Sequence, residues 1–141
     1  MRHVYECAVR FDDLDSYGHV NNVTFVEYLQ EARIDFAHRY LADALAPHEA
    51  SVVVHQAIDY LNPVPFRTEP LQVGVWVSRI GTSSFEVSCD VRDDDTVFAR
   101  AVVTLVSYDV AEQRPRALSG AEHAALAGFL ARTGIFRAHF L

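Results

Sequence analysis

The sequence predicts an α+β domain of two layers, a long central helix wrapped by a curved antiparallel sheet, with a short helix near the C-terminus. Two observations carry this prediction. Between Phe25 and Tyr40 the apolar residues recur at spacings of three and four, the period of a helix. Later stretches alternate apolar and polar residues, the period of a strand. One amphipathic helix and one antiparallel sheet must bury their apolar faces against each other. The chain has 141 residues, half of them hydrophobic, which suits a single domain over 1–141 with a core that needs no disulfide or metal.

The elements follow in order. Residues 3–10 read as a short strand, and 11–18 as a loop of turn formers. Asn21-Asn22 offers a side-chain oxygen to the orphan amides of a helix start. The helix then runs for about five turns through Phe25, Leu29, Ala32, Phe36 and Tyr40, and Pro47 follows its end. Residues 51–61 are rich in Val and Ile and end at Asn62-Pro63-Val64-Pro65, where proline forbids further ladder bonding. Strands at 71–78, 85–92 and 97–108 are separated by Gly81-Thr82-Ser83-Ser84 and by Asp93-Asp94-Asp95, a meander of three or four strands. Ser119 with Glu122 makes a capping box for a helix over 120–132, stopped near Gly134.

Composition removes several function classes. All 12 basic residues are arginine, so there is no lysine for a Schiff base, a pyridoxal phosphate anchor or a Walker A loop. A net charge of −7 without a basic cluster argues against nucleic acid as a partner. Cys7 and Cys89 are too few for a disulfide framework or zinc ribbon, and they read as core residues in a reducing compartment. With no signal-like N-terminus and no apolar run of about 20 residues, a soluble cytoplasmic protein with no membrane partner is expected.

The polar residues concentrate in Phe11-Asp12-Asp13-Leu14-Asp15-Ser16-Tyr17-Gly18-His19-Val20-Asn21-Asn22, at the entry to the long helix. A helix start presents unpaired N–H groups and a partial positive charge, so a carboxylate beside it suits acyl transfer: the amides stabilise an oxyanion while the carboxylate attacks or activates water. Loop and cap preferences explain the same residue types without any site. Calcium is rejected, because an EF-hand loop begun at Asp13 puts Tyr17 at its fifth position and Thr24 at its twelfth, where a Glu belongs. No G-x-S-x-G or H-E-x-x-H occurs, and no His or Cys set has zinc spacing. Ser83 and Ser84 could cradle a phosphate in their turn.

The segment Arg10-Phe11-x-Asp13-x-Asp15-x-x-Gly18-His19-Val20-Asn21-Asn22-x-x-Phe25-x-x-Tyr28-x-x-Glu31-Ala32-Arg33 resembles the opening of hotdog-fold acyl-CoA thioesterases of the 4-hydroxybenzoyl-CoA type. It is also similar to the Asp-Leu-Asp…His-Val-Asn-Asn segment of plant acyl-carrier-protein thioesterases. The likeness continues through Asp59-Tyr60-Leu61-x-Pro63, Gly81-x-Ser83-Ser84-Phe85, Ala99-Arg100-Ala101 and Pro115-Arg116, up to about residue 118.

The resemblance implies hydrolysis of an acyl-CoA thioester with no metal or organic cofactor. It assigns Asp15 the catalytic carboxylate, as nucleophile or general base, and the amides near Asn22 and Val23 the polarisation of the thioester carbonyl. His19 and Asn21 would line the site or orient water, and Phe25 would meet the acyl group. Many bacterial relatives carry a histidine where this chain has Asn22, and tyrosine is common at Phe25. In a second lineage the carboxylate lies mid-helix, which keeps Glu27 and Glu31 in reserve; Glu31 reads as structural, paired with Arg33 or a neighbouring subunit. A homodimer or homotetramer is expected from the unpaired strand edges and the apolar tail 135–141. The family places the acyl site between subunits, so Arg79, Arg92 and Arg100 are candidates for the CoA phosphates. The alternatives are an acyl-thioester hydratase or dehydratase and a non-catalytic acyl-CoA-binding protein.

Overall fold

The chain enters through strand β1 (His3–Cys7) and a 3-10 turn at Phe11–Asp13, then forms helix α1 (Asn22–Tyr40). Strands β2 (Glu49–Tyr60), β3 (Leu71–Ile80), β4 (Ser84–Arg92) and β5 (Val97–Asp109) follow, then a two-residue strand β6 (Arg114–Pro115) and helix α2 (Gly120–Ala127). The computed structural model describes residues 1–131.

All pairings among these strands are antiparallel, in the order β1-β3-β4-β5-β2, with β6 beside β5. The period-two residues Leu71, Val73, Val75 and Val77, then Phe85, Val87, Cys89 and Val91, then Ala99, Ala101, Val103 and Leu105 are all buried. Against them α1 sets Phe25, Tyr28, Leu29, Ala32 and Phe36, also buried. The two periodicities thus meet as one core cluster, to which Val64 of the β2–β3 connection also belongs.

Local chemistry sets the ends. The Asn21 side chain accepts the Val23 N–H at 2.9 Å and caps α1, while His38 and Arg39 complement the negative end of the helix. β1 stops at Cys7 instead of running to residue 10, because its partner β3 begins at Leu71, directly after Pro70. The capping box of α2 is present, with Glu122 N–H donating to Ser119 Oγ at 3.1 Å and Ser119 N–H to Glu122 Oε1 at 3.0 Å.

The last helix is shorter than its sequence suggests. Instead of continuing to residue 132, the chain leaves the helix after Ala127 and runs parallel to β3. There Val77 N–H donates to the Phe129 carbonyl and Ala131 N–H to the Val77 carbonyl, each at 2.9 Å. β1 reaches only Val75 of β3, and the strand edge beyond it takes these residues out of the helix. Gly134 and the apolar stretch 135–141 lie outside the described residues. No helix among the described residues is long and apolar enough to cross a membrane.

Candidate active site

Between β1 and α1 the backbone folds back on itself as a narrow loop. Asn21 N–H donates to the Asp13 carbonyl at 2.8 Å, Leu14 bridges Val20, and Asp15 N–H donates to the His19 carbonyl at 2.7 Å. The turn closes with Gly18 N–H on the Asp15 carbonyl at 3.1 Å, and Gly18 has φ of +80°, where a side chain would be strained. Each end of the motif is therefore fixed by backbone geometry before any side chain is considered.

Within this loop Asp15 is half-buried. Its Oδ1 accepts the Tyr17 N–H at 2.9 Å and the His19 N–H at 3.3 Å, while Oδ2 accepts no hydrogen bond among the described residues. One oxygen is held by the loop amides and the other is free of protein donors among the described residues. Asp15 borders a cleft of about 280 Å³ with His19, Val20, Asn22, Phe25 and the segment 60–63. The structure thus brings together Asp15, His19, Asn22 and Phe25, with Asn21 as the adjacent helix cap.

The helix amides are divided. Asn22 N–H finds no acceptor among the described residues, as expected for an amide in the first turn of a helix. Val23 N–H, which the sequence pattern offers equally, is already donated to Asn21 Oδ1. Among the described residues Asn22 and Thr24 keep unpaired amides at this helix start, and of the two Asn22 lines the cleft.

Three features were hidden in the sequence. Tyr60, at the end of β2, donates its hydroxyl to the Asn22 carbonyl at 3.1 Å, and its ring meets Phe25 edge-on at 5.6 Å. Leu61, Asn62 and Pro63 form the rest of that wall; the proline stop and the Asp59-Tyr60-Leu61-x-Pro63 likeness were legible there, but not their place at the cleft. Asp13 is a buried structural carboxylate. Burial alone would raise its pKa, but hydrogen bonds from Tyr28 and Arg10 outweigh that and hold it below the usual carboxylate range.

Other candidates lie elsewhere in the chain. Ser83 and Ser84 sit at the β3–β4 hairpin, where the Ser83 carbonyl accepts Ser107 N–H at 2.8 Å and Ser84 Oγ accepts Arg79 Nη2 at 3.2 Å. Arg79 also pairs with Glu86 at 3.5 Å. Arg92 lines a separate hollow with Arg2 and Asp90 on the sheet face away from α1, and Arg100 stands on β5 in register with Asp90 and Asp59. None of these five borders the Asp15 cleft within one chain. Glu27 and Glu31 are exposed on α1. The expected Glu31–Arg33 pair is not formed, because residues two apart on a helix point to different sides. Among the described residues no three His, Cys, Asp or Glu side chains converge as a metal site.

Known proteins resemble the chain over most of its length. The family described as the thioesterase-like superfamily matches residues 9–127. The long-chain acyl-CoA thioesterase FadM of Escherichia coli is 31% identical over 121 residues, 82% of this chain and 89% of that protein. A 1,4-dihydroxy-2-naphthoyl-CoA hydrolase of Nostoc punctiforme is 27% identical over 122 residues, 84% of this chain and 82% of its own. The match to YsmA of Bacillus subtilis, 37% identical, spans only 52% of that protein and 55% of this chain. A thioesterase from Thermus thermophilus, solved with coenzyme A and zinc, superposes with a TM-score of 0.78 at 31% identity, over 89% of this chain and 92% of its own.

Proposed function

From the premise that this chain belongs to the thioesterase-like superfamily, has its hotdog fold and is a thioester hydrolase, we propose that it hydrolyses an acyl-CoA to the free acid and CoA at the Asp15 cleft. The observation that carries this reading is that Asp15, with one unengaged carboxylate oxygen, and Asn22, with an unengaged backbone amide, line a single cleft. The Asn22 N–H polarises the thioester carbonyl, helped by the positive end of α1, and the oxyanion forms against it. Asp15 either attacks the carbonyl carbon, giving an anhydride that water opens, or takes a proton from the water that attacks. In both routes the C–S bond breaks and CoA leaves as a thiolate. A thiol has a pKa near 8.5, so this leaving group needs little acid assistance. His19 and Asn21 border the water and Phe25 the acyl group, and no metal or organic cofactor enters the scheme.

The site is completed by a second copy of the chain. Among the described residues β2 pairs with β5 on one side only, and Val52, Val53 and Val54 are exposed along it. Joining two such edges makes a dimer in which Arg79, Arg92 or Arg100 of one copy reaches the CoA phosphates of a ligand held by the other. The cytoplasm is the compartment proposed for this reaction.

Asp15→Asn tests the reading. Asparagine keeps an acceptor for the Tyr17 and His19 amides and removes the charge. Turnover of acyl-CoA, followed as thiol release, should fall roughly 100-fold or more while acyl-CoA still binds and the melting midpoint stays near its original value. Near-normal turnover with lowered stability would make Asp15 a loop residue. Binding without thiol release in the unmodified protein would favour a sensor, and an altered acyl product a hydratase.

A further inference from the structure

Asp12, Asp13 and Asp15 crowd into one loop, yet only Asp13 of the three is buried, at 2% exposure. A carboxylate is kept ionised in such a place only when its oxygens are filled by donors. They are filled here. Oδ2 accepts the Tyr28 hydroxyl at 2.6 Å and the Arg10 N–H at 2.9 Å, and Oδ1 accepts Arg10 Nε at 3.2 Å and Nη2 at 3.0 Å. The Asp13 carbonyl meanwhile accepts the N–H of Asn21, the helix cap. Asp13 therefore joins the exit of β1, the start of α1 and the second turn of α1.

The loop that carries Asp15 is a small ladder whose bottom rung is the Asp13–Asn21 bond. Whatever holds that rung to the helix also sets where the Asp15 carboxylate stands relative to the Asn22 amide. Packing alone does not call for this arrangement, since phenylalanine would fill the same core position at residue 28 with no polar atom to satisfy. We propose that Asp13, bound by Tyr28, is a positioning residue for the hydrolysis, fixing the Asp15 carboxylate against the first turn of α1. The proposal rests on the reading of Asp15 as the acting carboxylate.

Tyr28→Phe removes one hydroxyl and keeps the ring in the core. With benzoyl-CoA and decanoyl-CoA as probes, well below the melting midpoint, kcat should fall about tenfold while KM changes little, since displacement of a reacting group acts on the chemical step. Asp13→Asn should repeat that pattern. The double variant Tyr28→Phe/Asp15→Asn should be no slower than Asp15→Asn alone, because there is no longer a carboxylate to position. A lowered midpoint with unchanged kcat in both Tyr28→Phe and Asp13→Asn would overturn the proposal and leave the Asp15 reading intact. So would losses that simply multiply in the double variant. If Asp15→Asn itself keeps its turnover, the Asp15 reading fails and the proposal falls with it.

Discussion

The side chain of Asn21 occupies the Val23 amide and stands next in the chain to Val20 and Asn22, which line the cleft, so it is a helix cap for which we also propose a place in the site. Those two duties predict different losses. As a cap, Asn21→Ala should lower stability by about 1 kcal/mol and leave turnover of the same order, since Asn22 N–H remains free and Val23 N–H becomes free. Thermal melting and kcat on that one variant separate the duties: a collapsed kcat with an unmoved midpoint would mean that the amide of Asn21 touches substrate. At this scale the sequence was legible where a residue acts on its own immediate neighbours in the chain, as with Gly18 or the Asn21 cap. It was not legible where distant partners decide. Asp12, Asp13 and Asp15 look alike in the chain, and what singles out Asp13 is a hydroxyl 15 positions away. Tyr60 reaches the site only because β2 ends beside the start of α1.

The helix α2 shows how an element is held from outside itself. Glu122 is 2% exposed and accepts both Nη atoms of Arg116, Oε2 at 3.0 Å from Nη2, while Arg116 also pairs with Glu49 of β2 at 3.2 Å. Burial would raise the Glu122 pKa, but the Arg116 guanidinium and the Ser119 N–H outweigh it and set it below the ordinary value. A folded-state value below the unfolded one stabilises the protein above the unfolded pKa, about 4.3, and that contribution disappears as pH falls through the folded value. Glu122→Gln should therefore cost on the order of 3 kcal/mol at neutral pH, the loss expected when one partner of a buried pair is removed. In acid the midpoints of the variant and the parent should converge. Melting curves from about pH 7 down to about pH 3 check both points. The box Ser119–Glu122 was plain in the sequence, and so was the start of α2. Its end was not, because Phe129, Leu130 and Ala131 have helix-compatible letters and are claimed by the edge of β3.

For the whole molecule, the element order and the two-layer packing followed from periodicity, but the order of strands in the sheet did not. β2 lies next to β5, the last long strand, and away from β3, which follows it in the chain. No local pattern announces that choice. It makes the twelve-residue β2 an outer strand with Val53 at 46% and Val54 at 57% exposure. Light scattering should give at least twice the 15.8 kDa chain mass. Val53→Lys, which places a charge on that strand, should lower both the mass and the turnover. A monomer of full activity would contradict the shared site.

The other border of the sheet is β1, five residues long, with Glu6 exposed along it and Arg2 and Arg10 just beyond its ends. Among the described residues β1 thus exposes one valine, Val4, beside a charge, where β2 exposes three in a row. Units with two sticky borders would link head to tail into filaments of any length, whereas a unit of valence one is used up by its first bond. If copies join through β2, as proposed above, the difference between β1 and β2 makes strand joining terminate at a pair, and any larger particle is then built from the faces of the sheets.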